Sequence, residues 1–86
     1  MLFERTERFK RAYRKLEMAE RDLVRKALQQ LAEDRRHPGL RLKRMQGTDG
    51  IWEMHAGRDI RITFEIVNDV AVLRNVGHHD ETLRQP

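Results

Sequence analysis

Apolar positions in the first third of the chain recur at helical spacing. Phe9, Ala12, Tyr13 and Leu16 fall three and four residues apart, with Thr6 placed to cap the start and Arg8, Lys10, Arg11, Arg14 and Lys15 on the other face. A second stripe, Ala19, Leu23, Val24, Ala27, Leu28 and Leu31, runs on until Pro38 and Gly39 supply a stop. Two such helices joined by a few residues make an antiparallel hairpin. The pattern then becomes alternation, weakly at Leu40 and Leu42 and clearly at Ile60, Ile62, Phe64 and Ile66, where Arg61, Thr63 and Glu65 take the opposite face. Ile51 to Ala56 reads as another strand turned back by Gly57, and Asn68 with Asp69 as a two-residue hairpin turn into a strand from Val70 to Val76. Val70, Ala71, Val72 and Leu73 are apolar on both faces, which places that strand inside the sheet. Met1 to Glu4 can add an edge strand.

These elements predict an α+β fold over one domain, residues 1–86. A helical hairpin packs on a mostly antiparallel sheet of four to five strands, in the order β-α-α-β-β-β-β. No apolar run approaches the length of a membrane span and the first ten residues are charged, so the expected setting is cytoplasmic, with no membrane partner. Cysteine is absent, which excludes disulfides, thiolate catalysis and cysteine-based zinc sites.

Charge narrows the partner. The net charge is +4; residues 1–45 carry fourteen Lys or Arg against seven acids, and residues 46–86 carry four against seven. Fourteen of the eighteen cationic residues are Arg, whose planar fork grips phosphate or carboxylate with two parallel hydrogen bonds. A polyanion or an acidic protein fits that pattern; a solvated basic face that binds nothing is the alternative.

Chemistry can be assembled only in the second half. Regular alternation sets Glu53 and His55 on one face of their strand and Trp52, Met54 and Ala56 on the other. Arg61 lies on the polar face of the next strand, Asp59 at its entrance, and His78, His79 and Asp80 at the end of the last. A concave face holding Glu53, His55, Asp59, Arg61, His78 and His79 would combine proton acceptors, proton donors and a phosphate clamp. RNA can then be cut without a metal or other cofactor. A base takes the 2′-hydroxyl proton, a cation stabilises the phosphorane, and an acid protonates the leaving 5′-oxygen. A plain cross-strand ion pair of Glu53 with Arg61 explains the same spacing. His55, His78, His79 and Asp80 also admit a metal reading, and Trp52 is either core or a platform for a base. Arg41, Lys43 and Arg44, near the sheet edge, are placed for phosphate contacts.

The segments His37-Pro38-Gly39-Leu40-Arg41-Leu42-Lys43-Arg44-Met45, Gly47-Thr48, Ile51-Trp52-Glu53, Arg61-Ile62-Thr63-Phe64 and Arg74-Asn75-Val76-Gly77-His78-His79-Asp80, in this order and spacing, resemble the RelE/ParE toxin superfamily. The resemblance covers about half of the chain closely. It implies a ribonuclease-like fold whose concavity enters the ribosomal A site and cuts the codon there. Arg61 matches the phosphate-clamping arginine of the RelE branch; Glu53 and His55 stand where that branch has lysines, His79 where it has a second arginine, and Gln85 near its late tyrosine. The YafQ branch has acid, histidine and acid at Glu53, His55 and Asp59, and a catalytic histidine at His78. The wider set expected to touch RNA is Arg41, Lys43, Arg44, Arg58 and Arg74. The resemblance further implies a cognate antitoxin partner, acidic where it meets the Arg-rich half, that converts a free monomer into a hetero-oligomer; ribosome and mRNA are the targets. The ParE branch, which inhibits DNA gyrase without cutting RNA, and an inactive remnant that only helps repress its operon are the alternatives.

Overall fold

Thr6 starts the first helix as its position suggests. Its side-chain oxygen accepts the Phe9 N–H at 3.1 Å and caps α1 (Glu7–Arg14), with Glu7 in the first turn and Arg11 and Arg14 in the last, where each suits the helix dipole. The same hydroxyl donates to the Leu73 carbonyl at 2.8 Å, so one side chain fixes both the helix start and its place on the sheet. Thr6→Ala is therefore expected to cost about 1–2 kcal/mol, the upper part of the N-cap range, read as a lower denaturation midpoint in urea.

After three residues α2 (Met18–Glu33) begins with a capping box, in which Glu17 and Glu20 each accept the other's backbone N–H. It buries Val24, Ala27 and Leu31, while Ala19 and Leu23 of its predicted stripe stay exposed. Arg25 Nη1 donates to Tyr13 Oη at 2.9 Å and joins the two helices.

The computed structural model describes residues 1–86. Five strands form one sheet: β1 (Leu2–Arg5), β2 (Lys43–Arg44), β3 (Trp52–Ala56), β4 (Ile60–Val67) and β5 (Val70–His78), in the order β1-β5-β4-β3-β2. β1 pairs parallel with β5 and every other pairing is antiparallel. The doubly apolar strand β5 lies inside the sheet, and Asn68 and Asp69 take φ of 50° and 64°, the left-handed values a tight hairpin turn requires.

Two features differ from the sequence reading. Leu40 and Leu42 do not start a strand: Pro38–Leu40 is a turn of 3-10 helix, Arg41 follows with φ of 46°, and β2 is only Lys43–Arg44. Leu40 is apolar because it plugs the core, 1% exposed, and not because it alternates. A third helix, α3 (His79–Arg84), follows β5. Its six residues have one buried side chain, Thr82, so no apolar period announces it.

The register decides which side chains share a face, because paired residues point the same way. Met54, Ile62 and Val76 form one row and Trp52 with Phe64 another, on the face that meets α1 and α2 in the core. Lys43, Glu53, Thr63 and Asn75 form a row on the other face, beside the row of His55, Arg61 and Gly77. A register shift between Thr63 and Phe64 leaves Arg74 as the extra residue of a bulge.

Candidate active site

Arg61 is the unusual residue of the second face. It is 8% exposed, and its Nη1 donates to the carbonyls of Arg58 at 3.2 Å and Ile60 at 3.0 Å. No carboxylate forms an ion pair with it. Removing a charge from water costs several kcal/mol, and a buried cation without a counter-charge is retained where an anion is to be met. Two carbonyl acceptors hold the fork in place without neutralising it.

His55 faces Arg61 directly in the register. Its pKa is lowered from the ordinary 6.5, first by burial, then by the charges of Arg61 and Arg41, with Glu53 opposing and Lys43 adding to the fall. The imidazole is consequently neutral at pH 7 and able to accept a proton. Glu53, two residues back on the same face, is 5% exposed and meets Lys43 Nζ at 3.6 Å. Register sets Glu53 opposite Thr63, so the expected ion pair with Arg61 does not form. Glu53, His55 and Arg61 thus converge, flanked by the exposed Arg41 and Lys43.

His78 does not join them. It pairs with Ile60 in the register, one residue out of phase with Arg61. Its Nδ1 meets Asp59 Oδ2 at 2.5 Å and its Nε2 meets Glu20 Oε2 at 3.1 Å. Three elements, α2, the β3–β4 turn and the start of α3, are clasped by one imidazole. The hydrogen bond to Asp59 raises the His78 pKa, burial opposes it, and the charges of Glu20, Asp59 and Glu81 add smaller rises; the same bond chiefly lowers the pKa of Asp59.

The sign of the pH dependence follows. A raised folded-state pKa stabilises fully below 6.5 and is lost as pH climbs through the raised value; a lowered one stabilises fully above 3.8 and is lost as pH falls through the lowered value. The clasp is strongest between the two ordinary values. His78→Ala is expected to lower the melting temperature there, with the deficit shrinking above pH 6.5. Both groups are exposed, so the effect is small; melting curves from about pH 5 to about pH 9 measure it, and a constant deficit would contradict the clasp.

The remaining residues separate. His79 is exposed and pairs with its neighbour Asp80 at 2.8 Å. Arg44 lies over the Trp52 ring, 5.7 Å from its centroid, in the row of the helix-covered face, so it is turned away from Arg61. Trp52 packs against the core and is no platform on the active face. Arg58 is exposed in the β3–β4 turn, its carbonyl bound by Arg61. Arg74 is held by Glu65 and by the backbone oxygen of Pro86. His55 lies in another row from His78, and no group of three or more His, Asp or Glu is arranged to hold a metal ion. No helix is long and apolar enough to cross a membrane.

Sequence reasoning missed Thr63, 0% exposed beneath the site, whose hydroxyl donates to the Asn75 carbonyl, and Gly77 beside Arg61. Alternation placed Thr63 on the correct face, but a threonine in a strand carries no mark of burial.

No family model matches the chain, and no curated protein matches it by sequence. Solved structures do. A copper-bound mutant toxin from Helicobacter pylori superposes with a TM-score of 0.79 at 16% identity, covering 94% of this chain and 97% of the other. YafQ from E. coli gives 0.78 at 10% identity, with 94% of each chain covered. The RelB-RelE antitoxin-toxin complex from Methanococcus jannaschii gives 0.75 at 16% identity, covering 100% of this chain and 99% of the other. Over nearly its whole length, the chain has the RelE-like fold.

Proposed function

We propose that this protein is the toxin of a type II toxin–antitoxin pair, an mRNA endonuclease that cuts the codon in the ribosomal A site and so stops translation. The observation that carries the reading is the buried, carboxylate-free Arg61 facing a neutral His55. His55 takes the 2′-hydroxyl proton, the freed oxygen attacks the adjacent phosphorus, and Arg61 stabilises the pentacovalent phosphate. Glu53, close by on the same face, favours the imidazolium that forms. The 5′-oxygen leaves with a proton. Of the two candidate acids, His78 has both ring nitrogens committed to Asp59 and Glu20, whereas His79 has only its Nδ1 engaged, by Asp80, and is the freer to donate. Arg41 and Lys43, exposed beside His55, hold the RNA backbone. The likeness to YafQ and to RelE in its RelB complex supports the same reading at the level of fold.

An acidic antitoxin segment suits a groove of about 430 Å³ between α1 and α3, where Arg8, Arg11 and Lys15 face a single acid, Glu81. The test is inducible expression in bacteria with mapping of 5′ ends in a reporter transcript, translated and untranslated. In-frame cuts that require translation support the reading. Growth arrest with intact transcripts and DNA breaks would transfer it to gyrase inhibition, and harmless expression to an inactive remnant.

A further inference from the structure

A second cluster of cations lies outside the Arg61 face. The connection from α2 to β2 forms a pocket of about 330 Å³ lined by Arg35, Arg36, His37, Pro38, Arg41 and Leu42, with no acid among them. Arg35, Arg36 and Arg41 are exposed, and none of the three takes part in an ion pair. The acid that precedes them, Asp34, has its Oδ1 engaged by the Arg36 backbone N–H at 2.9 Å. Guanidinium groups gathered round one pocket repel one another, and an anion placed between them removes that repulsion.

The backbone holds this cluster in place. His37 N–H donates to the Asp34 carbonyl at 3.1 Å, Leu40 N–H to that of His37 at 3.1 Å and Arg41 N–H to that of Pro38 at 3.3 Å, which makes residues 34–41 a run of tight turns. Leu40, 1% exposed, pins the run to the core, and the 3-10 turn packs on α2 and β3. Gly39 N–H donates to His37 Nδ1 at 3.1 Å, so the neutral ring carries its proton on Nε2, where no group of the chain accepts it. Three guanidinium forks and one imidazole N–H are the donors that a phosphate diester takes.

Arg41 joins this pocket to the catalytic face. Its φ of 46° is uncommon for a residue with a side chain, and such conformations gather at functional sites. Lys43 pairs with Glu53 in the register, and counting two residues back along one strand and two forward along the other sets Arg41 alongside His55. The Arg41 charge is felt there, since it helps to lower the His55 pKa. The cationic surface is therefore continuous from His55 through Arg41 to Arg35 and Arg36.

We propose that the pocket is a second phosphate subsite, which takes the RNA backbone phosphate adjoining the scissile one. Arg35 and Arg36 pair with that phosphate, His37 Nε2 donates to it, and Arg41 bridges the two sites. A strand held at two successive phosphates cannot slide, so the scissile group stays against Arg61 and His55. The register along the RNA rests on the nuclease reading; the affinity of the pocket for a nucleic-acid phosphate stands apart from it.

The double variant Arg35→Gln, Arg36→Gln tests the subsite, because both side chains are exposed and unpaired and the fold does not depend on them. On ribosomes programmed with a defined codon, the variant is expected to raise KM several-fold and leave kcat unchanged, the signature of a contact made equally before and during the reaction. A neutral methylphosphonate in place of one of the two phosphates flanking the scissile bond should raise KM for the natural chain and have no further effect on the variant. Binding of a short single-stranded RNA, 2′-O-methylated so that it cannot be cut, gives a readout independent of cleavage. The slope of log Kd against log salt should be shallower in the variant by about 0.7, the share of one phosphate on a single strand. An unchanged slope would overturn the subsite whether or not the message is cut. Cleavage with an unchanged KM, or methylphosphonate effects that persist in the variant at both flanking positions, would overturn it and leave the nuclease standing. A shallower slope with no cleavage would retain the subsite and overturn the nuclease. A polyglutamate peptide that displaces the RNA at equal charge concentration would overturn RNA as the ligand in favour of an acidic protein.

Discussion

Replacing Arg61 with Ala is expected to reduce codon cleavage by about 10²- to 10³-fold, the loss seen when one preorganised donor to a developing oxyanion is removed. The effect is large because the guanidinium is already in place. Its hydrogen-bond partners are two backbone carbonyls, and no carboxylate forms an ion pair with it, so its charge is available to the phosphorane. Folding should not suffer in proportion. Deleting one member of a buried ion pair strands the other charge, but Arg61 leaves only two backbone carbonyls and no charge behind, and its own burial cost is removed with it. The expected combination is lost growth arrest with an unchanged or higher melting temperature. A folded Arg61→Ala protein that still arrests growth would remove Arg61 from the chemistry.

His55→Ala is expected to cost about 10²- to 10⁴-fold, the usual contribution of a general base. The pH profile carries more information than the loss. Because burial and the charges of Arg61 and Arg41 lower the His55 pKa, the imidazole stays neutral below 6.5 and must be protonated before activity falls. The acid limb of kcat/KM for the natural protein should therefore lie below 6.5, the ordinary histidine value. Glu53→Gln removes the one charge that opposes the shift and should move that limb lower still. A limb at or above 6.5, or one unaffected by His55→Ala, would point to another base.

The same residues show how far a sequence of this kind can be read. Strand alternation put Arg61, His55 and Glu53 on one face because the side-chain period in a strand is fixed by the backbone, and the pairing kept all three together. The helical stripes and the Asn68-Asp69 turn were legible for the same reason: each is a local rule acting on local residues. Register is not local. Whether Glu53 faces Arg61 or Thr63 depends on where two strands meet, and a shift of two residues separates an ion pair from none. His78 and Asp59 were grouped with the site because both sit at strand ends near it in sequence. They pair with each other, and the further partner of His78, Glu20, belongs to a helix almost sixty residues earlier, with nothing in the spacing to connect them. α3 was invisible because tertiary contacts rather than an apolar period hold it.

The central claim, metal-free cleavage of the A-site codon through Arg61 and His55, is tested most directly with purified protein and ribosomes programmed with a defined codon. The same message is assayed free and ribosome-bound, in the presence of a chelator, and the ends of the products are analysed. The account predicts cleavage of the ribosome-bound message alone, products carrying a 2′,3′-cyclic phosphate and a 5′-hydroxyl, and loss of both with Arg61→Ala. Products with a 5′-phosphate, or an intact message after exposure to folded protein, would contradict it.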